Sequence, residues 1–161
     1  MKFIHPTAII GENVTIEDDV YIGPYCLIGM PPEWKGKETE SKGVYIGKGT
    51  IITGLVSIDS GAVEPTYIGP NCYIMKGAYI AHDCFIGSSV TLSAGVKLAG
   101  MVQIGHGTNI GMGACVHQKT KIPNGCMIGM NAVITKKTVL KSNSKYAGVP
   151  AKFIGSNDRI S

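Results

Sequence analysis

Residues 66 to 92 read TYIGPNCYIMKGAYIAHDCFIGSSVTL, and the aliphatic residues in this stretch, Ile68, Ile74, Ile80, Ile86 and Leu92, stand six apart. The spacing continues through Leu98, Ile104, Ile110, Val116, Ile122, Ile128, Ile134 and Leu140. It also runs through Ile4, Ile10, Ile16, Ile22 and Ile28, and again through Ile46, Ile52 and Ile58. A period of six fits neither an amphipathic helix nor a simple alternating strand. It fits a parallel β-helix of hexapeptides, with about three short strands per 18-residue coil and every sixth side chain pointing into a common core. The fold expected is therefore all-β. Two positions before almost every aliphatic stands a small or β-branched residue, such as Val14, Cys26, Ala78, Cys84 or Val96, sized for a tight inner corner. Glycine follows the aliphatic at Gly23, Gly69, Gly87 and Gly105, where a turn needing unusual backbone angles is expected.

The 161 residues, 44% of them apolar, suffice for one packed domain. No window approaches the roughly 18 apolar residues of a membrane span, and MKFIHPTAIIG carries no long apolar run, so a soluble, cytoplasmic chain is expected. The five cysteines form no C-x-x-C pair, which argues against a disulfide framework or a zinc knuckle. Four of them, Cys26, Cys72, Cys84 and Cys126, fall on the inner-corner position and are expected in the core.

Two segments leave the ladder. Residues 29–45 contain MPPEWKGKETESKGVY, rich in proline, glycine and charge, and are expected as an external loop carrying the only tryptophan, Trp34. That indole could stack on a base or sugar, or simply pack the loop onto the wall. The coil is expected over residues 1–140, and residues 141–161 as a tail capping its open end. Between Ile58 and Ile68 the spacing is ten instead of six, a slip of four residues in GAVEPT.

Residues 18 apart should stack, about 4.8 Å per coil. His82, Gly100 and Gln118 form one such column. Asp83, Met101 and Lys119 lie on one side of it, and Ala81, Ala99 and His117 on the other. A carboxylate beside His82 could hold one imidazole tautomer and leave the other nitrogen to remove a proton near neutral pH. Gly100 would let a substrate carbonyl reach a backbone N–H that stabilises an oxyanion. His117 and Gln118 would add donors to the same groove.

The ladder resembles the hexapeptide-repeat acyltransferases, which implies a left-handed helix and a homotrimer with sites between subunits. IAHDC at Ile80–Cys84, LAG at Leu98–Gly100 and VHQ at Val116–Gln118 are similar in spacing to the UDP-N-acetylglucosamine acyltransferases of lipid A synthesis. The loop, the slip and TYIGPNC agree in order. The resemblance implies His82 as general base, Asp83 as its orienting partner and Gly100 as oxyanion donor. It implies substrate contacts at Tyr79, Met101, His117, Gln118 and Trp34. Tyr79 and Met101 depart from histidines in those enzymes, and Gly36, flanked by Lys35 and Lys37, from a lysine.

Those enzymes follow their coils with a helical domain that helps bind acyl carrier protein. The residues after Leu140 instead run to YAGVPAKFIG, which resembles the GVPAK or NPAK close of acetyl-CoA-dependent relatives. The donor expected is thus an acyl-CoA, acetyl foremost, with acyl carrier protein as the alternative and no tightly bound cofactor or metal. Charge points the same way. Residues 119–161 hold eight basic residues against Asp158 alone, while residues 1–118 hold seven against ten acidic ones. Lys119, Lys136, Lys137 and Lys152 are the candidates for the donor's phosphates. Aromatics do not interleave with these lysines, so nucleic acid is not an expected partner.

The leading expectation is acyl transfer to a hydroxyl or amine of a nucleotide-linked sugar in surface glycan synthesis, with the lipid A reaction as its alternative. Two other classes stay open: a zinc lyase sharing this fold, with His82, His117 and a neighbour's His106 as ligands, and a non-catalytic scaffold.

Overall fold

The computed structural model describes residues 1–36 and 40–158. Lys37 and Arg159 lie outside the described residues. Among the described residues, strands of mostly two residues line up in three sheets of nine, seven and six strands, parallel except for the last strand of the first, as the three faces of a prism. Tyr79–Ile80 pairs with Lys97–Leu98 on one side and with Ser57–Ile58 on the other. Phe85–Ile86 pairs with Gln103–Ile104 in the next sheet. The interval is 18 wherever the ladder is uninterrupted.

The ladder is the core. From Ile22 to Ile134 its side chains are almost wholly buried, and each is worth about 1.5–3 kcal/mol of apolar transfer. Val20, Cys26, Cys72, Ala78, Cys84 and Val90 fill the corners between them. Cys26, Cys72, Cys84 and Cys126 are buried, and Cys115 is half-buried on an outer face.

Apart from Gly29, whose φ is 81°, the glycine that follows the aliphatic does not serve the turn as expected. Gly69, Gly87 and Gly105 lack a left-handed φ, and a β-carbon on them would lie 2.8, 2.9 and 2.4 Å from backbone of the next coil. Their need is for space between coils. The left-handed residue stands three positions after the aliphatic instead, as at Asn71, Gly77, Asp83, Ser89, Gly95, Met101, Gly107 and Lys119.

Both interruptions alter the stacking interval. Val14–Ile16 pairs with Val44–Ile46, 30 residues on, because the loop inserts twelve residues between two strands. Twelve is twice six, so the ladder keeps its phase across the loop although 18-residue stacking fails there. Ile52 pairs with Ile74, 22 residues on, because of the slip. The loop is also shorter than expected. Strand Leu27–Met30 runs past Gly29, Val44–Ile46 begins before Tyr45, and buried Val44 pairs with Val14 and Thr66.

The coil extends beyond Leu140. Ser144–Ala147 pairs in parallel with Met127–Ile128 and places Tyr146, 2% exposed, on the next ladder position. Its hydroxyl accepts the Lys141 N–H at 2.6 Å, which meets the polar demand of a buried phenol. Lys152–Ser156 then pairs antiparallel with Ser144–Ala147 and covers that edge. Among the described residues no helix is long and apolar enough to cross a membrane.

Candidate active site

Strand Tyr79–Ile80 runs into a turn at Asp83, whose φ of 59° is left-handed. That conformation brings the two neighbouring side chains together, where an extended strand would point them apart. The His82 Nδ1 lies 2.7 Å from the Asp83 Oδ2. The same carboxylate accepts the N–H groups of Ala62 at 3.1 Å, Val63 at 2.7 Å and Glu64 at 2.8 Å. These three amides belong to the slip, so the four extra residues form a nest around one anion. Burial works to raise the Asp83 pKa, but the hydrogen bonds from Glu64, His82, Val63 and Ala62 together hold it below the ordinary carboxylate range. An ionised Asp83 fixes the proton on Nδ1 and leaves Nε2 as the acceptor. Cys84, next along the chain, is no competing nucleophile. Burial raises its thiol to about 12.

The Nε2 face meets Gly100. A β-carbon there would lie 2.6 Å from Nε2, so any side chain would occupy the ground the acceptor needs. The Gly100 N–H donates to no acceptor among the described residues. His82, Gly100 and Gln118 line a cavity of ≈ 340 Å³ together with Met101, Lys119 and Trp34. Met101 and Lys119 keep left-handed backbone, φ 63° and 59°, in the column above Asp83.

The loop closes the other side. The Trp34 indole stacks on the His82 imidazole, ring centroids 4.9 Å apart and 20° from parallel, and Glu33 and Lys35 reach the same cavity. Trp34 thus packs neither on an open groove nor on the bare wall. Nearby stands Asp59, 3% exposed, which accepts the Tyr79 hydroxyl at 2.6 Å. Burial raises the Asp59 pKa against the pull of that hydrogen bond, and it raises the Tyr79 hydroxyl as well. Farther along, Lys42 N–H donates to the Gly61 carbonyl, Gly61 N–H to Gly43, and the Ser41 and Ser60 hydroxyls meet at 2.6 Å. Both interruptions of the repeat therefore converge on His82 and Asp83.

Not every expected residue joins them. His117 is exposed, its Nδ1 2.9 Å from the Gln118 carbonyl, and it lines a different hollow of ≈ 540 Å³ with Lys136, Lys137, Val149 and Pro150. One position along a turn is enough to redirect the side chain. Tyr79 spends its hydroxyl on Asp59 and does not line the cavity. Lys119 belongs to the His82 cavity, whereas Lys152 faces a hollow of ≈ 310 Å³ that it shares with Lys137. Asp59, Glu33 and the Ala62–Glu64 amides were not foreseen. Within the chain, no three His, Cys, Asp or Glu side chains among the described residues converge as a metal site would require.

This geometry, a period-six prism with one polar constellation where the period breaks, defines a class that comparison makes specific. Residues 65–100 match the family model Bacterial transferase hexapeptide (six repeats), and residues 101–136 match Hexapeptide repeat of succinyl-transferase. The acyl-[acyl-carrier-protein]–UDP-N-acetylglucosamine O-acyltransferase of Campylobacter lari is 37% identical over 55% of this chain and 40% of its own. That of Thermodesulfovibrio yellowstonii is 33% identical over 57% and 51%. The chain thus spans about half the length, or less, of these curated relatives. The UDP-N-acetylglucosamine O-acyltransferase of Moraxella catarrhalis superposes with a TM-score of 0.78 at 28% identity, covering 96% of this chain and 75% of that one. PerB of Caulobacter crescentus, solved with CoA and GDP-perosamine, gives 0.67 at 25% identity over 96% and 57%. The chain carries hexapeptide repeats of these two kinds over residues 65–136 and has the left-handed parallel β-helix fold of the superposed acyltransferases.

Proposed function

We propose that the protein is an acyltransferase acting on a nucleotide-linked sugar, with His82 as general base. The observation that carries this reading is the His82–Asp83 pair at 2.7 Å, its free Nε2 facing Gly100 in a cavity lined by the loop and the coil. Nε2 takes the proton from the acceptor's hydroxyl or amine as that atom attacks the thioester carbonyl. The tetrahedral oxyanion sits against the Gly100 N–H, and the thiolate leaves, taking the proton from His82. Asp83, nested in three amides, stays ionised throughout and keeps the ring oriented. Gln118, Trp34, Met101 and Lys119 contact the substrates, and the working unit is a homotrimer in the cytoplasm.

The relatives favour an acyl carrier protein thioester as donor and UDP-N-acetylglucosamine as acceptor, the reaction their names print. A second reading, acetyl-CoA as donor, has its own support. Lys136, Lys137 and Lys152 gather around the C-terminal hollows, and a neighbour of the same fold was solved with CoA and a GDP-linked sugar.

The test is thiol release from acetyl-CoA and from acylated carrier protein, each offered with UDP-, GDP- and dTDP-linked sugars. Release should require one sugar and fall by about 10²–10⁴ in His82→Ala. Release that persists in that variant, or none with either donor, would overturn the reading.

A further inference from the structure

The turn that carries Asp83 differs from its neighbours in one hydrogen bond. At Ser89, Met101, Gly107 and Lys119 the left-handed residue donates its N–H, each at 2.9 Å, to the main-chain carbonyl nineteen residues earlier, those of Pro70, His82, Ser88 and Gly100. The same interval from Asp83 leads to Glu64, and Glu64 lies in the slip. There the polarity is reversed. Glu64 gives its N–H to the Asp83 carboxylate at 2.8 Å, and its carbonyl is turned onto Gly61, where a β-carbon would collide with the oxygen. The arrangement that binds the carboxylate thus takes away the acceptor that the Asp83 N–H would otherwise have. A side chain replaces it. The Thr66 Oγ1 accepts that N–H at 3.0 Å. Thr66 is wholly buried, and its strand, Thr66–Ile68, is held by Val44–Ile46 on one side and Phe85–Ile86 on the other. Cys84 and Val102 fill the corresponding corner one and two coils on, so packing there does not itself require a hydroxyl.

We propose that Thr66 is a positioning residue for the His82–Asp83 pair: by accepting the Asp83 N–H in place of a main-chain carbonyl, it holds the left-handed turn that directs the carboxylate onto the His82 Nδ1. The three amides of residues 62–64 grip the carboxylate, and Thr66 fixes the backbone that carries it. An N–H left buried without an acceptor would draw the turn towards another one, and the 2.7 Å contact with Nδ1 would lengthen. As a catalytic aid this rests on the acyltransfer reading, but the contact itself does not.

The test needs a readout that packing alone does not move. A proton held between an imidazole nitrogen and a carboxylate resonates far downfield of the amides, so the His82 Nδ1–H can be followed by NMR in the full chain without substrate, and assigned by its absence in His82→Gln. Thr66→Val, which keeps the shape and removes the acceptor, should lose this signal or move it upfield, while Thr66→Ser, which keeps the hydroxyl, retains it. With turnover, Thr66→Val should lower kcat by about 10–10²-fold and leave KM nearly unchanged, and Thr66→Ser should keep most of the rate. Should Thr66→Val lose its β circular dichroism, Thr66→Cys offers a side chain of the kind that position 84 already buries and only a weak acceptor, and the same loss is expected. A folded Val or Cys variant with the signal in its wild-type place, or a wild type that lacks it, overturns the proposal whatever the rates. Loss of the signal in Thr66→Val with no turnover in the wild type supports the positioning of Asp83 and sinks the acyltransfer reading instead.

Discussion

A β-carbon at position 100 would stand 2.6 Å from the nitrogen that is to receive the acceptor's proton. Gly100 has no left-handed φ, so alanine fits the backbone and only the space is lost. Gly100→Ala should leave the thermal midpoint nearly unchanged and lower kcat by about 10²–10³, read from thiol release beside a melting curve. Asp83 makes a prediction in pH. Its folded pKa lies below the unfolded one, so the stability it contributes is present above about pH 4 and disappears as pH falls through the folded value. Asp83→Asn should therefore lower the melting temperature clearly at pH 7 and by less as pH falls below about 4; an equal deficit throughout would refute the ionised nest. His82, Asp83, Gly100 and Gln118 were legible in the sequence because no interruption falls among the coils that hold them. Asp59 and Glu33 were not, since they precede the slip and counting in 18s misplaces them. His117 lines a hollow apart from His82 for a smaller reason, the direction of one side chain at a turn.

At the scale of the element, the ladder was readable because burial at one corner per six residues leaves no choice but an aliphatic. The same rule hid Tyr146. It stands on the next ladder position after Leu140, but its hydroxyl makes it look like the start of a polar tail, and only the Lys141 N–H shows how the core admits it. Tyr146→Phe should cost about 1 kcal/mol, the net worth of that hydrogen bond, and Tyr146→Ala about 3–5 kcal/mol through the cavity left in the last coil. Denaturant melts would separate the two, and equal losses would mean that the ring does not pack as described. The loop's bounds were misjudged because twelve residues preserve a period of six. Phase alone carries no sign that a strand has ended.

Across the whole molecule, contacts reach mainly to the next coil, so stability should vary along the axis. Ile4 is 37% exposed, while Ile74 in the interior is fully buried. Ile74→Ala should cost about 2–5 kcal/mol and Ile4→Ala far less. Hydrogen exchange should show the first coil opening well before residues 66–134. Uniform protection along the chain would contradict this gradient. Charge also varies along the axis, and its test is ionic. Lys136→Glu with Lys137→Glu should raise KM for the donor and flatten its salt dependence, with kcat little changed.

The column that rises from Asp83 through Met101 to Lys119 keeps left-handed backbone at every level, whereas the neighbouring columns mostly place Asn, Ser or Gly there. A methionine or lysine in that conformation forgoes about 1 kcal/mol relative to glycine. The cavity wall is thus built from residues poorly suited to their own backbone, and the most thermostable version of this protein, with glycine or asparagine at 101 and 119, would be a smoother prism with less to hold a substrate.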